Sequence, residues 1–474
     1  MVNTTNQITG RTKVVIIGAG IAGLAAAKTL EDANFKDYLI VEAHKEVGGR
    51  IRSIPWNENW IEYGAQFLHG DRSKLAELCY QNDLLSDIQC KDGQGIFIRD
   101  DGVEISEDLV YEVDDLVRTT LDECENYENR NVEAGCENIS KALKKWFKRH
   151  LWEKNDSSVV RKMKEEIFDW NIRFLTIDNS CPEHLLFKGG YDSLTKLLSD
   201  KLNEKNLRLN IAVEFIEWRK TSNEDNRDTP IILSLSDNTR ILSDCVIITC
   251  SLGYLKEKHK KMFSPPLPSS LCQGIESLGF GLINKIFLDF GVSWWDPGSK
   301  GFQLLWRKTD PETFYNDILP PWTRDLTGFD VLPDHEGVLL GWIGGRGAYV
   351  VETLTEQQVA TDCENLLRHF LKLDNIPAVK KCLRTQWYAN EYVKGSYSHI
   401  PTKCDVNGVT PAILAEPVWG EIRRKNCTKD VPIIMFAGEA TSENFYSTTH
   451  GAYDTGAKQA QLFLHHHVGN DKHF

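Results

Sequence analysis

Three glycines, an acid and an arginine near the start of the chain are spaced to hold phosphates. Gly18, Gly20 and Gly23 stand at GxGxxG spacing, Glu42 follows, and Gly48-Gly49-Arg50 lies shortly beyond it. At this spacing the first glycine permits a tight turn, the second lets the backbone approach a pyrophosphate, and the third lets a helix pack against a strand. Glu42 is placed to accept hydrogen bonds from a ribose diol. Two further residues carry proton chemistry. His69 closes the segment Tyr63-Gly64-Ala65-Gln66-Phe67-Leu68-His69-Gly70, and Lys285 is a lone cation inside the run Phe280 to Phe290. On pattern alone His69 is either a histidine satisfied in a turn or one presented to a ligand. Lys285 is either an outward-facing lysine of an edge strand or a partly buried amine aimed at a reaction centre, where desolvation lowers its pKa.

The elements around these residues arrive in the order that a dinucleotide site needs. Val14-Val15-Ile16-Ile17 reads as a buried parallel strand, Leu24-Ala25-Ala26-Ala27 as the start of a helix, and Tyr38 to Val41 as a second strand ending at Glu42. The phosphates then meet the positive end of the helix. The glycine pair and Arg50 form a second phosphate or sugar clamp, an addition typical of FAD-binding chains rather than NAD dehydrogenases. Ile51 to His69 reads as two strands around Asn57-Glu58-Asn59, and Arg72 to about Glu165 as mostly helical. In that stretch Leu109, Val113, Leu116 and Val117 share one face, as do Leu143, Trp146, Phe147 and Leu151. Gly189-Gly190-Tyr191 breaks the pattern. Leu207 to Trp218 reads as a strand holding Val213, Ile231 to Leu242 as a hairpin, and Asp244 to Cys250 as a buried strand. Phe280 to Phe290 and Val338 to Trp342 read as strands, and Glu356 to Phe370 as a helix. Pro432 to Phe436 is a last buried strand, leading into Ala437-Gly438-Glu439-Ala440, the cluster Tyr446-Ser447-Thr448-Thr449-His450-Gly451 and a helix from Tyr453 to Phe463. A second cofactor-like signature thus closes the chain.

The 474 residues suggest two or more domains, and 41% hydrophobic content can build a sizeable core. The expected fold class is α/β: a Rossmann-type nucleotide domain built from discontinuous segments (1–70, 186–275 and 395–474) with an inserted α+β substrate domain (71–185 and 276–394). A net charge of −13 argues against general nucleic-acid binding and is compatible with a cationic substrate. The 12 cysteines show no CxxC pair or metal-ligand spacing, which reads as reduced thiols of an intracellular protein with no metal site. His465-His466-His467 reads as a solvated tail rather than a metal site. No window has the length and apolarity of a membrane span, and the final Lys472-His473-Phe474 is not a Ser-Lys-Leu peroxisomal signal. The expected location is the cytoplasm, with no obligate protein partner.

Taken together and in order, these segments resemble the flavin-containing amine oxidases, and within them the polyamine oxidases. The elements are the fingerprint with Glu42, Gly48-Gly49-Arg50, the Gly64 to Gly70 segment, Gly281 to Lys285, Gly395-Ser396-Tyr397-Ser398 and the closing Gly-Glu-Ala-Thr with Ser-Thr-Thr-His-Gly-Ala. The resemblance implies that Gly18, Gly20, Ala22, Gly23, Glu42, Gly49 and Arg50 hold the ADP part of FAD. It implies that Val213 meets the adenine through its backbone, that Gln66 and Phe67 lie along the flavin, and that Glu439, Thr448 and Thr449 contact the ribityl chain and ring. Lys285 then holds a water near flavin N5, His69 lies beside the substrate amine, and Tyr397 walls the substrate. Ser396 replaces the cysteine that monoamine oxidases bond to FAD, so the flavin is expected to be non-covalent. Phe67 stands where close relatives often have Trp. The implied reaction is oxidation of spermine, spermidine or their N1-acetyl forms at a secondary amine. Hydride passes to flavin N5, the imine hydrolyses to an aldehyde and a shorter amine, and O2 becomes hydrogen peroxide. The alternatives are a monoamine or L-amino acid oxidase, or a flavin-binding protein with little turnover.

Overall fold

The computed structural model describes residues 8–89, 93–125, 139–153, 156–174, 184–219, 230–307, 319–424 and 427–468. The chain divides into two compact units. The first comprises Met1–Gln89, Ser180–Gly281 and Asn390–Phe474, and the second Cys90–Asn179 and Leu282–Ala389.

The first unit is built on a nine-stranded mixed sheet. At its centre the fingerprint strand Ile8–Ile17 pairs in parallel with Tyr38–Val41 on one side and with Arg240–Ile248 on the other. Val14 and Ile16 face one core and Val15 and Ile17 another, all nearly inaccessible. A strand covered on both faces needs apolar residues at every position, which is why this run does not alternate. The strand Arg240–Ile248 forks along its other edge. Its first half pairs antiparallel with Ile231–Leu235, and its last three residues pair in parallel with Ile434, Met435 and Phe436 of Cys427–Phe436. The fingerprint helix Ile21–Asp32 and the closing helix Thr449–Phe463 cross so tightly that a Cβ on Gly456 would lie 2.0 Å from the Ala22 carbonyl oxygen.

The second unit has a seven-stranded sheet in the order Lys381–Arg384, Asn284–Asp289, Val338–Ile343, Leu326–Val331, Gly301–Leu305, Ile96–Arg99 and Glu104–Ile105. Helices Glu107–Glu125, Ile139–Glu153 and Ser158–Phe174 pack Val113, Val117, Leu143, Phe147 and Leu151 into one core with Phe97 and Leu305. Leu109 and Leu116 are partly buried against it, so the face expected from helical spacing is the packed one. Trp170 donates its indole N–H to the Thr327 carbonyl (2.7 Å), tying the last of these helices to the sheet.

The structure corrects several local expectations. Arg72 to about Glu165 is mostly helical among the described residues, as expected, but it also holds the short strands Leu85–Gln89, Ile96–Arg99 and Glu104–Ile105. The stretch Phe280 to Phe290 is two strands, Gly279–Gly281 and Asn284–Asp289, in different sheets. Leu207 to Trp218 is likewise two, Leu207–Arg208 and Val213–Trp218, whereas the second hairpin arm and the following buried strand are one continuous element, Arg240–Ile248. The histidine triplet is not a solvated tail. It lies in a π-helical turn where His467 is 3% exposed, stacks on Phe463 and donates from Nε2 to the Pro432 carbonyl (2.7 Å), while His466 meets Trp419 edge-on. Among the described residues no helix is long and apolar enough to cross a membrane.

The helix crossing yields a test. Gly456→Ala forces a Cβ onto backbone and is expected to destabilise the protein by roughly 1–3 kcal/mol. Gly10→Ala, whose Cβ would meet nothing within 4 Å, is expected to change stability by less than about 0.5 kcal/mol. Denaturant unfolding of the two variants checks both.

Candidate active site

Four parallel strands of the first unit end level with one another. Ile17 pairs with Val41 and with Ile248, and Ile248 pairs with Phe436. The residues that follow them, Gly18, Glu42, Thr249 and Ala437-Gly438-Glu439, therefore collect at the carboxyl edge of the sheet, where open α/β sheets hold their ligands. The fingerprint turn is pinned there. Gly18 N–H donates to the Val41 carbonyl (2.9 Å), and the Thr249 hydroxyl donates to the carbonyls of Ile17 (2.9 Å) and Gly18 (3.1 Å). Gly18 has φ +105°, and a Cβ on Gly23 would lie 2.0 Å from the Gly18 carbonyl oxygen, so neither tolerates a side chain.

The space this turn leaves fits a pyrophosphate. The helix Ile21–Asp32 starts at Gly20 with no side-chain cap and no acid in its first turn, although Ile21, Ala22 and Gly23 are buried. Buried, uncapped N–H groups at the positive end of a helix call for an anion. A Cβ on Gly20 would meet only the Gly48 carbonyl oxygen, at 4.0 Å, so the backbone there is open to a ligand. Gly48 N–H donates to the Ala19 carbonyl (2.8 Å) and sets the Gly48-Gly49-Arg50 turn beside it. Glu42 is 7% exposed. Its Oε2 accepts from Ala19 N–H (2.6 Å) and its Oε1 from His44 N–H (2.7 Å), fixing the carboxylate at the end of its strand. The Glu42 carbonyl accepts from Ile211 N–H (2.9 Å), which brings in the segment leading to the buried Val213. Ala22 has a different neighbour: its carbonyl faces Gly456 of the closing helix.

Arg50 reaches the other end of the chain. Its Nη1 donates to Glu439 Oε1 (2.8 Å) and to the Ser396 carbonyl (2.8 Å), and its guanidinium carbon lies 5.6 Å from the Phe280 ring centroid. Glu439 Oε2 accepts from the Ser398 hydroxyl (2.5 Å), Ser398 N–H (3.2 Å) and Ser447 N–H (3.0 Å). Thr448 caps the closing helix by accepting from Gly451 N–H (3.0 Å), and it donates to the Phe445 carbonyl (2.7 Å). The Thr449 hydroxyl is hydrogen-bonded to the hydroxyl of the buried Tyr191. Both threonine side chains are thus engaged inside the protein.

Ala65 N–H donates to the Arg50 carbonyl (3.0 Å), which hooks the half-buried Gln66 and the segment after it onto the same turn. Phe67 is buried. His184, which the sequence reading did not single out, stacks on Phe67 with ring centroids 4.9 Å apart and meets His69 perpendicularly at 5.0 Å. The two histidines face each other across a short antiparallel ladder, a pairing that no local spacing announces. Tyr397 pairs with Gly281 next to Ser396 and Ser398, and burial pushes its hydroxyl up to about 12, so it is a neutral phenol at neutral pH.

Lys285 belongs to the second unit, on the Asn284–Asp289 strand. That strand is not an edge: Val338–Ile343 flanks it on one side and Lys381–Arg384 on the other. Lys285 is 3% exposed, with its Nζ 4.8 Å from the centroid of the Trp342 ring directly opposite. Lys285 is therefore buried on an interior strand, not outward-facing on an edge, and the ring face offsets part of the cost of burying a cation.

The sequence and this architecture place the chain in a known group. It matches the flavin containing amine oxidoreductase family over residues 21–177 and 106–464 and belongs to that family. It is 28% identical to the peroxisomal N(1)-acetyl-spermine/spermidine oxidase of Homo sapiens, in an alignment covering 97% of this chain and 96% of that protein. It is 27% identical to probable polyamine oxidase 5 of Arabidopsis thaliana, covering 97% and 99%. The structure of a putrescine oxidase bound to putrescine shares the fold, with a TM-score of 0.66 at 17% identity over 96% of this chain and 99% of that one. FAD, held without a covalent bond, is the cofactor.

Glu42→Gln replaces an acceptor of two backbone N–H groups with an amide that can serve only one. FAD affinity is expected to fall by about tenfold to a hundredfold, the worth of a charge-assisted hydrogen bond. Fluorescence titration of the apoprotein with FAD measures it.

Proposed function

We propose that this chain oxidises polyamines (spermine, spermidine or their N1-acetyl forms) at a secondary amine. The amine, O2 and water give an aldehyde, a shorter amine and hydrogen peroxide. Bound FAD supplies the two-electron acceptor that the amino acids lack. The amine must reach it uncharged, because a protonated nitrogen has no lone pair to assist loss of the α-hydrogen. In this reading His69 stands on the amine side and Tyr397 walls the substrate as a neutral phenol. Lys285 holds the water needed near the acceptor, and none of the three need be a strict general base.

The observation that carries the reading is the burial of Lys285 on an interior strand. An ammonium is expensive to bury, and a protein that merely carried a flavin would have no use for it. The likeness to named polyamine oxidases along nearly the whole chain supports this substrate class over monoamines and amino acids. The net charge of −13 favours approach of a polycation.

The test is anaerobic loss of flavin absorbance near about 450 nm, a property of the cofactor. Spermine, N1-acetylspermine, benzylamine and an L-amino acid are mixed with the FAD-loaded enzyme in parallel. Rapid bleaching by spermine or N1-acetylspermine is expected. Bleaching by benzylamine or the amino acid alone would move the enzyme to another amine, and no bleaching by any would favour a binding protein. Lys285→Met is expected to retain FAD while slowing bleaching by about 10²-fold, the usual cost of one positioned donor. An unchanged rate would remove Lys285 from the chemistry.

A further inference from the structure

The backbone of Lys285 is clasped from one side by a single residue. Thr385 lies just beyond the end of the Lys381–Arg384 strand. Its hydroxyl accepts from Lys285 N–H (2.8 Å), and its own N–H donates to the Lys285 carbonyl (3.0 Å). A hydroxyl can accept the strand's hydrogen bond and still donate one, and this one donates to Asn284 Oδ1 (2.8 Å). The Asn284 amide in turn donates to Glu352 Oε1 (2.8 Å) and to the Ala348 carbonyl (3.0 Å). Glu352, at the end of the helix Gly345–Val351, also accepts from Tyr388 N–H (2.9 Å) on Oε1 and from Ala389 N–H (2.8 Å) on Oε2. Trp387 N–H completes the set on Asn284 Oδ1 (3.4 Å). Asn284 and Thr385 are fully buried and Glu352 is 8% exposed.

Such a chain is costly to bury and rigid once every member is satisfied. Asn284 and Lys285 are neighbours on one strand, so their side chains leave opposite faces of the sheet. Thr385 therefore holds the Lys285 backbone from the neighbouring strand's side and is itself tied to Asn284 on one face, while the ammonium lies over Trp342 on the other. We propose that Glu352 and Thr385 are positioning residues for Lys285, Thr385 acting directly on its backbone and Glu352 through Asn284 and Thr385, and that neither touches substrate or cofactor. The relay exists to hold one lysine to a fixed place, since a displacement of about 1 Å in a catalytic group can cost 10²-fold in rate. The proposal rests on the reading of Lys285 as the water-holding residue.

The experiment uses the FAD-loaded enzyme with Glu352→Gln and Thr385→Val, each alone and combined with Lys285→Met. Glu352→Gln confronts the Tyr388 and Ala389 N–H groups with an amide, and Thr385→Val removes the bridging hydroxyl at nearly constant volume. Hydrogen exchange of the peptide spanning Leu282 to Phe290 is expected to quicken by about tenfold in either single variant. Limiting anaerobic bleaching by N1-acetylspermine or spermine is expected to slow by about tenfold or more, with half-saturation and FAD content unchanged. In the Lys285→Met background neither substitution is expected to slow bleaching further. Unchanged exchange, or equal slowing with and without Lys285, would overturn the proposal. Should Glu352→Gln not fold, Thr385→Val alone decides by the same measurements. If Lys285→Met leaves bleaching unchanged, the reading of Lys285 fails and the positioning role falls with it. Altered exchange would then report only a structural relay.

Discussion

The ion pair between Arg50 and Glu439 joins residues 389 positions apart and organises the ligand edge of the first unit. Glu439 is nearly inaccessible and Arg50 is partly so. Removing two charges from water costs more than their attraction returns unless further hydrogen bonds complete the geometry. The protein supplies them from two further segments: the Ser396 carbonyl on the arginine and Ser398 on the carboxylate from one, and Ser447 on the carboxylate from the other. The demands of one buried pair thereby fix the relative placement of the glycine-arginine turn, the Ser396–Ser398 stretch and the start of the closing helix. Around it the level strand ends set a floor, and the uncapped fingerprint helix provides donors.

The second unit solves a parallel problem with different chemistry. Lys285, Asn284, Glu352 and Thr385 are buried polar groups in one region. The Asn284 amide and the backbone N–H groups of Tyr388 and Ala389 satisfy the carboxylate, the Thr385 hydroxyl donates to Asn284, and an aromatic face receives the ammonium. Spreading charge over several fixed dipoles holds position without requiring a single strong partner. The result is a lysine whose backbone is held from the neighbouring strand's side and whose ammonium rests on an aromatic ring.

Much of this was legible in the sequence, for identifiable reasons. A strand buried on both faces has no polar positions, so Val14 to Ile17 is unmistakable, and the GxGxxG spacing and Glu42 mark its end. The α/β class follows from that unit. Amphipathic helices such as Ile139–Glu153 announce their buried face by spacing alone. What failed was short or non-local. The strands Leu85–Gln89, Ile96–Arg99 and Glu104–Ile105 have too few residues for a period to emerge beside helices. Lys285 was ambiguous because whether a strand lies inside a sheet depends on neighbours from distant segments. His184, Tyr191 and Glu352 gain their meaning from partners such as His69, Thr449 and Asn284, which local pattern cannot supply. His467 misled because a run of polar rings reads as solvated until its stacking and carbonyl partners are known.

The forked strand Arg240–Ile248 has a consequence for how the protein is made. Its last three residues wait for Ile434 to Phe436, as Arg50 waits for Glu439 and Ala22 for Gly456. At a ribosomal pace of about 5–20 residues per second, roughly 20–80 s separate synthesis of the fingerprint from that of its last partners. For roughly the last 10–40 s of that interval the strand Arg240–Ile248 exists with one edge only partly covered. The ligand edge is consequently assembled only after Ile434 to Glu439 have been made, long after the fingerprint that it completes.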